Sequence, residues 1–153
     1  MRSRMLALVL VLPLAIACGD DDDSSTAPTP ERWTATLAGS NEVPPVTTTA
    51  SGTSTFQAVG DTAISYTVTA TISGLTMAHI HTGAAGVNGG VLVWLAPPNG
   101  TAAQAPSGAL TGQIASGRFN ASWIRGVGGQ PPISLDSLRR LMRSGNAYVN
   151  VHT

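Results

Sequence analysis

Cysteine is nearly missing from this chain. Cys18 stands alone among 153 residues, so no intramolecular disulfide can form. Lysine is missing altogether, and only 10% of the residues are charged. From Trp33 to Thr153 the acids are Glu42, Asp61 and Asp136 and the bases are Arg118, Arg125, Arg139, Arg140 and Arg143, a net of +2. That balance is too slight for the basic footprint of a nucleic-acid-binding surface, which removes nucleic acid as a partner. The carboxylates are scattered over a loop, a turn and a predicted helix, whereas glycoside chemistry needs two of them a few ångströms apart. No Gly-x-Ser-x-Gly nucleophile elbow occurs, and Cys18 is set aside by its position near the N-terminus. The sequence therefore offers no catalytic residue and reads as a non-enzyme.

Long hydrophobic runs are scarce too. The one at Met5 to Ala17 follows a basic start, Met1-Arg2-Ser3-Arg4, and is too short to cross a bilayer as a helix. Residues 1–17 read as a secretory signal peptide. Its end, Leu14-Ala15-Ile16-Ala17-Cys18, resembles a bacterial lipobox, with Ala15 where a bulkier aliphatic residue is usual. The resemblance implies a lipidated Cys18, which gives a lone thiol in an exported protein a role as membrane anchor. With Gly19 after the cysteine, enterobacterial sorting by analogy favours the outer membrane of the cell envelope. Residues 18–32 contain the run DDDDSSTAPTPE, which is acidic, Ser/Thr/Pro-rich and without apolar period, and read as the anchor plus a disordered tether. The aspartate run is a spacer in this reading, since adjacent carboxylates on a loose chain repel one another.

Residues 33–153 have the composition of one globular domain, large enough for a core without staples. Ile64, Tyr66, Val68, Ala70 and Ile72 alternate with Ser65, Thr67, Thr69 and Thr71, the signature of a half-buried strand. Trp33, Ala35 and Leu37 alternate likewise, as do Ala147, Val149 and Val151, and Phe56 and Ala58 mark another strand. Val91 to Ala96 is apolar on both faces and predicts a central strand between the turns Asn88-Gly89-Gly90 and Pro97-Pro98-Asn99-Gly100. Leu110 to Ile114 and Phe119 to Trp123 predict a hairpin around Ser116-Gly117. One helix interrupts the strands. Ser134 is its expected N-cap, Leu135, Leu138, Leu141 and Met142 keep helical spacing, and Gly145 ends it. Arg139, Arg140 and Arg143 fall late in this helix, where cations suit the macrodipole. The fold class is an all-β antiparallel sandwich of Ig-like or Greek-key type, with one short helix in a connection. Trp33, Tyr66, Val68, Val93, Phe119, Trp123, Leu138 and Val149 are the expected core.

All three histidines lie in two short runs, Ala78-His79-Ile80-His81 and Val149-Asn150-Val151-His152. A His-x-His pair on a strand puts both imidazoles on one face, because side chains alternate with period two. His152, in phase with Tyr148 and Asn150, joins them if the two strands are neighbours. Imidazole ligation without thiolate suits copper(II) or zinc better than calcium or magnesium. His79, His81 and His152 are therefore candidate ligands for copper or zinc, with Glu42, Asn150 and Tyr148 placed to orient them or to add a donor. The competing role for the histidines is structural, as hydrogen-bonded residues at strand ends. For Glu42, in Asn41-Glu42-Val43-Pro44-Pro45, it is an arginine pair or a backbone cap beside a proline-fixed strand exit.

Asn41-Glu42-Val43-Pro44-Pro45-Val46, Ala78-His79-Ile80-His81-Thr82-Gly83, Gly86, Asn88-Gly89-Gly90 and Gly145-Asn146-Ala147-Tyr148-Val149-Asn150-Val151-His152-Thr153 together resemble the CHRD domain. This is the domain named for chordin and found in many bacterial exported proteins. The resemblance spans nearly all of residues 33–153 and implies an extracytoplasmic domain with a binding or structural role, toward an unidentified protein or envelope ligand. Members usually continue past the histidine–threonine pair with a Pro-Gly-Gly-Glu-Ile-Arg-Gly-type closing strand. Its absence after Thr153 implies either a truncated product or a sheet with an open edge. His79 to Gly90 is also similar to the copper-ligand strand of Cu/Zn superoxide dismutases. Three histidines are too few for that dinuclear centre, so that activity is not expected.

Overall fold

Apolar–polar alternation builds most of the protein into strands. The computed structural model describes residues 29–100 and 108–153. The expected signal peptide, Cys18 and most of the tether lie outside the described residues. The strands are β1 (Arg32–Ala38), β2 (Ser51–Val59), β3 (Ala63–Ser73), β4 (Met77–Thr82), β5 (Val91–Ala96), β6 (Ala109–Asn120) and β7 (Ala147–His152), with one helix, α1 (Leu135–Arg143). They form a four-stranded sheet of order β1-β2-β3-β6 and a three-stranded sheet of order β5-β4-β7, every pairing antiparallel.

The sheets meet through their apolar faces. Ile64, Tyr66, Val68 and Phe119 of the larger sheet pack with Ile80, Val93 and Leu95 of the smaller in one continuous core. Tyr66 Oη donates to the Leu95 carbonyl at 3.0 Å, so the one buried phenol finds its acceptor on the opposite sheet. The sandwich and its antiparallel strands are as the alternation predicts. Tyr66, Val68, Val93, Phe119 and Leu138 are buried. Trp33, Trp123 and Val149 are only partly buried and pack against the rim of the core.

Helix α1 starts at Ser134, whose hydroxyl accepts from the Ser137 N–H at 3.1 Å, and ends at Gly145 with φ +70°. Arg140 pairs with Asp136 one turn back, and Arg143 pairs with Glu31. Arg139 departs from the expectation of a macrodipole cation. It is buried, and its guanidinium donates to the Gly60 carbonyl and to Asp61 in the turn between β2 and β3. It latches the helix onto that hairpin.

Two strand expectations are corrected. The segment read as a hairpin around Ser116-Gly117 is a single strand, β6, of 12 residues. It follows the 11-residue β3 along its whole length, with a register shift where Ile114 bulges opposite Val68 and Thr69. Gly117 is extended because it passes the Tyr66 ring, where a Cβ would come within 3.1 Å of the phenol oxygen. Trp123 lies beyond the strand in a 3-10 turn. The second correction concerns Val91–Ala96, which is an edge strand, not a central one. Its outer face is covered by side-chain packing: Trp94 lies edge-on against His79 and has Gly100 on its ring. The central strand of the smaller sheet is β4, and β7 is its other edge.

Candidate metal centre

The register of β4 against β7 decides where the histidines go. Met77 faces His152, His79 faces Asn150 and His81 faces Tyr148 across the pair. Directly opposed residues share a sheet face. Ala78, Ile80, Val149 and Val151 occupy the other face and pack into the core, so all three imidazoles project from the outer face. The geometry brings together all three residues that the sequence singles out. His79 is 3% exposed and His81 8%, while His152 is half-buried.

Each residue offers one nitrogen to a cluster in which these atoms lie within 4.8 Å of one another. His79 Nδ1 and His152 Nε2 are 3.3 Å apart, one donating to the other through a shared proton. Two nitrogens held ~2.0–2.1 Å from a tetrahedral ion stand about 3.3–3.4 Å apart, so this pair already has the bite of such an ion. A bound ion would take the place of the bridging proton.

His81 is oriented by a built clamp. Its Nδ1–H donates to the Gly89 carbonyl at 2.9 Å, which fixes the tautomer and leaves Nε2 as the lone-pair nitrogen. The Gly89 N–H donates to Tyr148 Oη at 3.1 Å, and the Tyr148 ring stacks on His81 at 5.0 Å and 15°. One glycine thus holds both the ligand and the ring that braces it. A Cβ on Gly89 would stand 1.5 Å from the Thr82 carbonyl oxygen, so no other residue fits without moving the loop. His79 is held on the other flank by Trp94, edge to face at 4.2 Å. The sequence reading missed both supports. Gly89 was legible only as turn chemistry, and Trp94 only as part of an apolar strand.

Burial and mutual repulsion favour the neutral form of His79 and His152. Burial, then repulsion by His152 and His81, lowers the pKa of His79 to about 4. Burial and His81 lower that of His152 as well, opposed by the attraction of Glu42. Neutral imidazole is the form that ligates. His79 Nε2 and His81 Nε2 are buried with no hydrogen-bond partner among the described residues. A buried polar atom left unpaired costs about 1–3 kcal/mol. Of the two, His81 Nε2 carries the lone pair and fits a group that accepts it; His79 offers the cluster Nδ1 instead.

Around the cluster, Asn150 lies beside His79 in the register, and Glu42 lines the same cleft as His152, Tyr148 and Asn150. Glu42 has no arginine partner among the described residues. The CHRD domain family model matches residues 33–153. This chain belongs to the CHRD domain family. No curated protein and no solved structure matches it. Membership in the CHRD family carries a binding or structural role at the family level, and the histidine face is where this CHRD domain concentrates its chemistry.

Proposed function

We propose that this CHRD protein is an exported, lipid-anchored binding module of the bacterial cell envelope, without catalysis, that holds a copper or zinc ion through His79, His81 and His152. The observation that carries the reading is the convergence of three imidazoles on one sheet face, with one pair already 3.3 Å apart. A purely structural role would leave the buried ring nitrogens satisfied, yet only His81 Nδ1 meets a backbone acceptor, and His79 Nε2 and His81 Nε2 have no partner among the described residues. Metal-free protein purified without a His tag should bind one equivalent of zinc(II) or copper(II) saturably at micromolar metal. The His79→Ala/His81→Ala double variant should lose that binding. Absence of saturable binding, or equal binding by the double variant, would return the histidines to a structural role.

The location rests on the sequence of the N-terminal segment. With Cys18 lipidated, the protein should partition with membranes and detergent, and Cys18→Ser should release it or leave it unprocessed. A soluble mature wild-type protein with a free Cys18 thiol would refute the anchor.

A further inference from the structure

We propose that Glu42 is the anionic partner of the ion held by His79, His81 and His152, standing at its open coordination position and making the site selective for zinc(II) or copper(II) over copper(I). This rests on the metal-binding reading above and names the class of ion.

His79 and His81 are buried, and of the three ligands only His152 lies on the wall of a cleft of about 980 Å³ between β1, the 39–51 connection, the 84–88 loop and β7. His152 is thus the ligand through which the cleft and the cluster adjoin, and an ion held there would be nearest to solvent on that side. Among the described residues lining the wall, Glu42 is the only acidic or basic side chain besides the imidazole of His152.

Its placement is fixed by two loops. The N–H groups of Glu42 and Val46 both donate to the Gly39 carbonyl, at 3.2 and 2.8 Å. Asn88 Nδ2 donates to the Val43 carbonyl at 3.0 Å. Asn88 precedes Gly89, the residue that orients His81. The backbone beside Glu42 is therefore tied to the same loop that positions a ligand.

The carboxylate itself is uncommitted. The other described acids each pair with an arginine: Glu31 with Arg143, Asp61 with Arg139 and Asp136 with Arg140. Glu42 has no such pair and no side-chain hydrogen bond among the described residues, although it is half-buried. The carboxylate stands outside the nitrogen cluster in the ion-free arrangement. It meets the ion by rotation of its side chain or through a metal-bound water.

Three neutral imidazoles leave a divalent ion with its whole charge in a partly desolvated site, an unfavourable state that one carboxylate offsets. Copper(I) carries half that charge and prefers soft donors, so it gains little from an oxygen anion.

The test compares wild type, Glu42→Gln and Glu42→Asp by competition against chromophoric chelators for zinc(II) and copper(II), and anaerobically for copper(I). Glu42→Gln should weaken both divalent ions about 10–100-fold and leave copper(I) unchanged, with Glu42→Asp restoring most of the divalent affinity. The copper(II) paramagnetic resonance spectrum should change in Glu42→Gln, and the metal-free melting temperature should not. Unchanged divalent affinity in Glu42→Gln, or an equal loss for all three ions, overturns the role of Glu42. If wild type binds no metal, the histidine site falls as well. If wild type binds and Glu42→Gln matches it, only this inference falls.

Discussion

At His79, burial and ionisation pull against each other. The ring is 3% exposed among other imidazoles, and its pKa falls from 6.5 to about 4. In the unfolded chain the same ring takes up a proton near pH 6.5. Between those values the unfolded state binds a proton that the folded state refuses, so stability rises with pH across this window. It is complete above about pH 6.5 and drains away as pH falls toward 4, with His152 adding in the same direction. Urea midpoints of metal-free protein should therefore drop between pH 6.5 and 5, before most carboxylates titrate, and His79→Gln should flatten the slope. A flat wild-type profile there would show that His79 is solvated. The sequence made this face legible, because period two fixes His79 and His81 together without any knowledge of neighbours. His152 needed the β4–β7 register, which the polar phase of Tyr148, Asn150 and His152 only suggests. Gly89 was legible only as turn chemistry. A glycine needed for a turn and a glycine needed because a Cβ would collide with the Thr82 carbonyl are spelled alike.

Among elements, α1 shows how pattern and context divide the information. The spacing of Leu135, Leu138 and Leu141, the Ser134 cap and the Gly145 stop are local, and all are realised. What Arg139 does is not local, since its partners in the β2–β3 turn lie more than 70 residues away in sequence. The same limit produced the hairpin expectation for β6. Ser116-Gly117 looks like a turn until β3 supplies a straight partner beside it. Leu138 is fully buried where the helix meets the sandwich, so Leu138→Ala should cost about 2–5 kcal/mol in chemical denaturation. Asp61→Asn should leave the denaturation midpoint unchanged, because Asp61 is fully exposed and Arg139 keeps its bonds to backbone carbonyls. A Leu138→Ala loss below about 0.5 kcal/mol would mark the helix as a loose surface element.

For the molecule as a whole, the histidine site lies across the pairing of a central strand with an edge strand. Among the described residues β7 has a strand partner on one side only, and all six of its residues are partly exposed. An edge strand of this kind frays more easily than the strands it borders. An ion ligated by His79 and His81 on β4 and by His152 on β7 would cross-link the central strand to that edge. Because the unfolded chain lacks the assembled site, binding free energy becomes folding free energy. Zinc(II) at a hundred times its dissociation constant should add about 2.7 kcal/mol, a rise of roughly 8–12 °C in melting temperature for a domain of this size. His152→Ala removes the ligand on β7 and should abolish the rise while leaving the core intact. Melting curves with excess chelator and with zinc(II) measure the difference directly. If His152→Ala shows the same rise as wild type, the stabilising ion sits elsewhere.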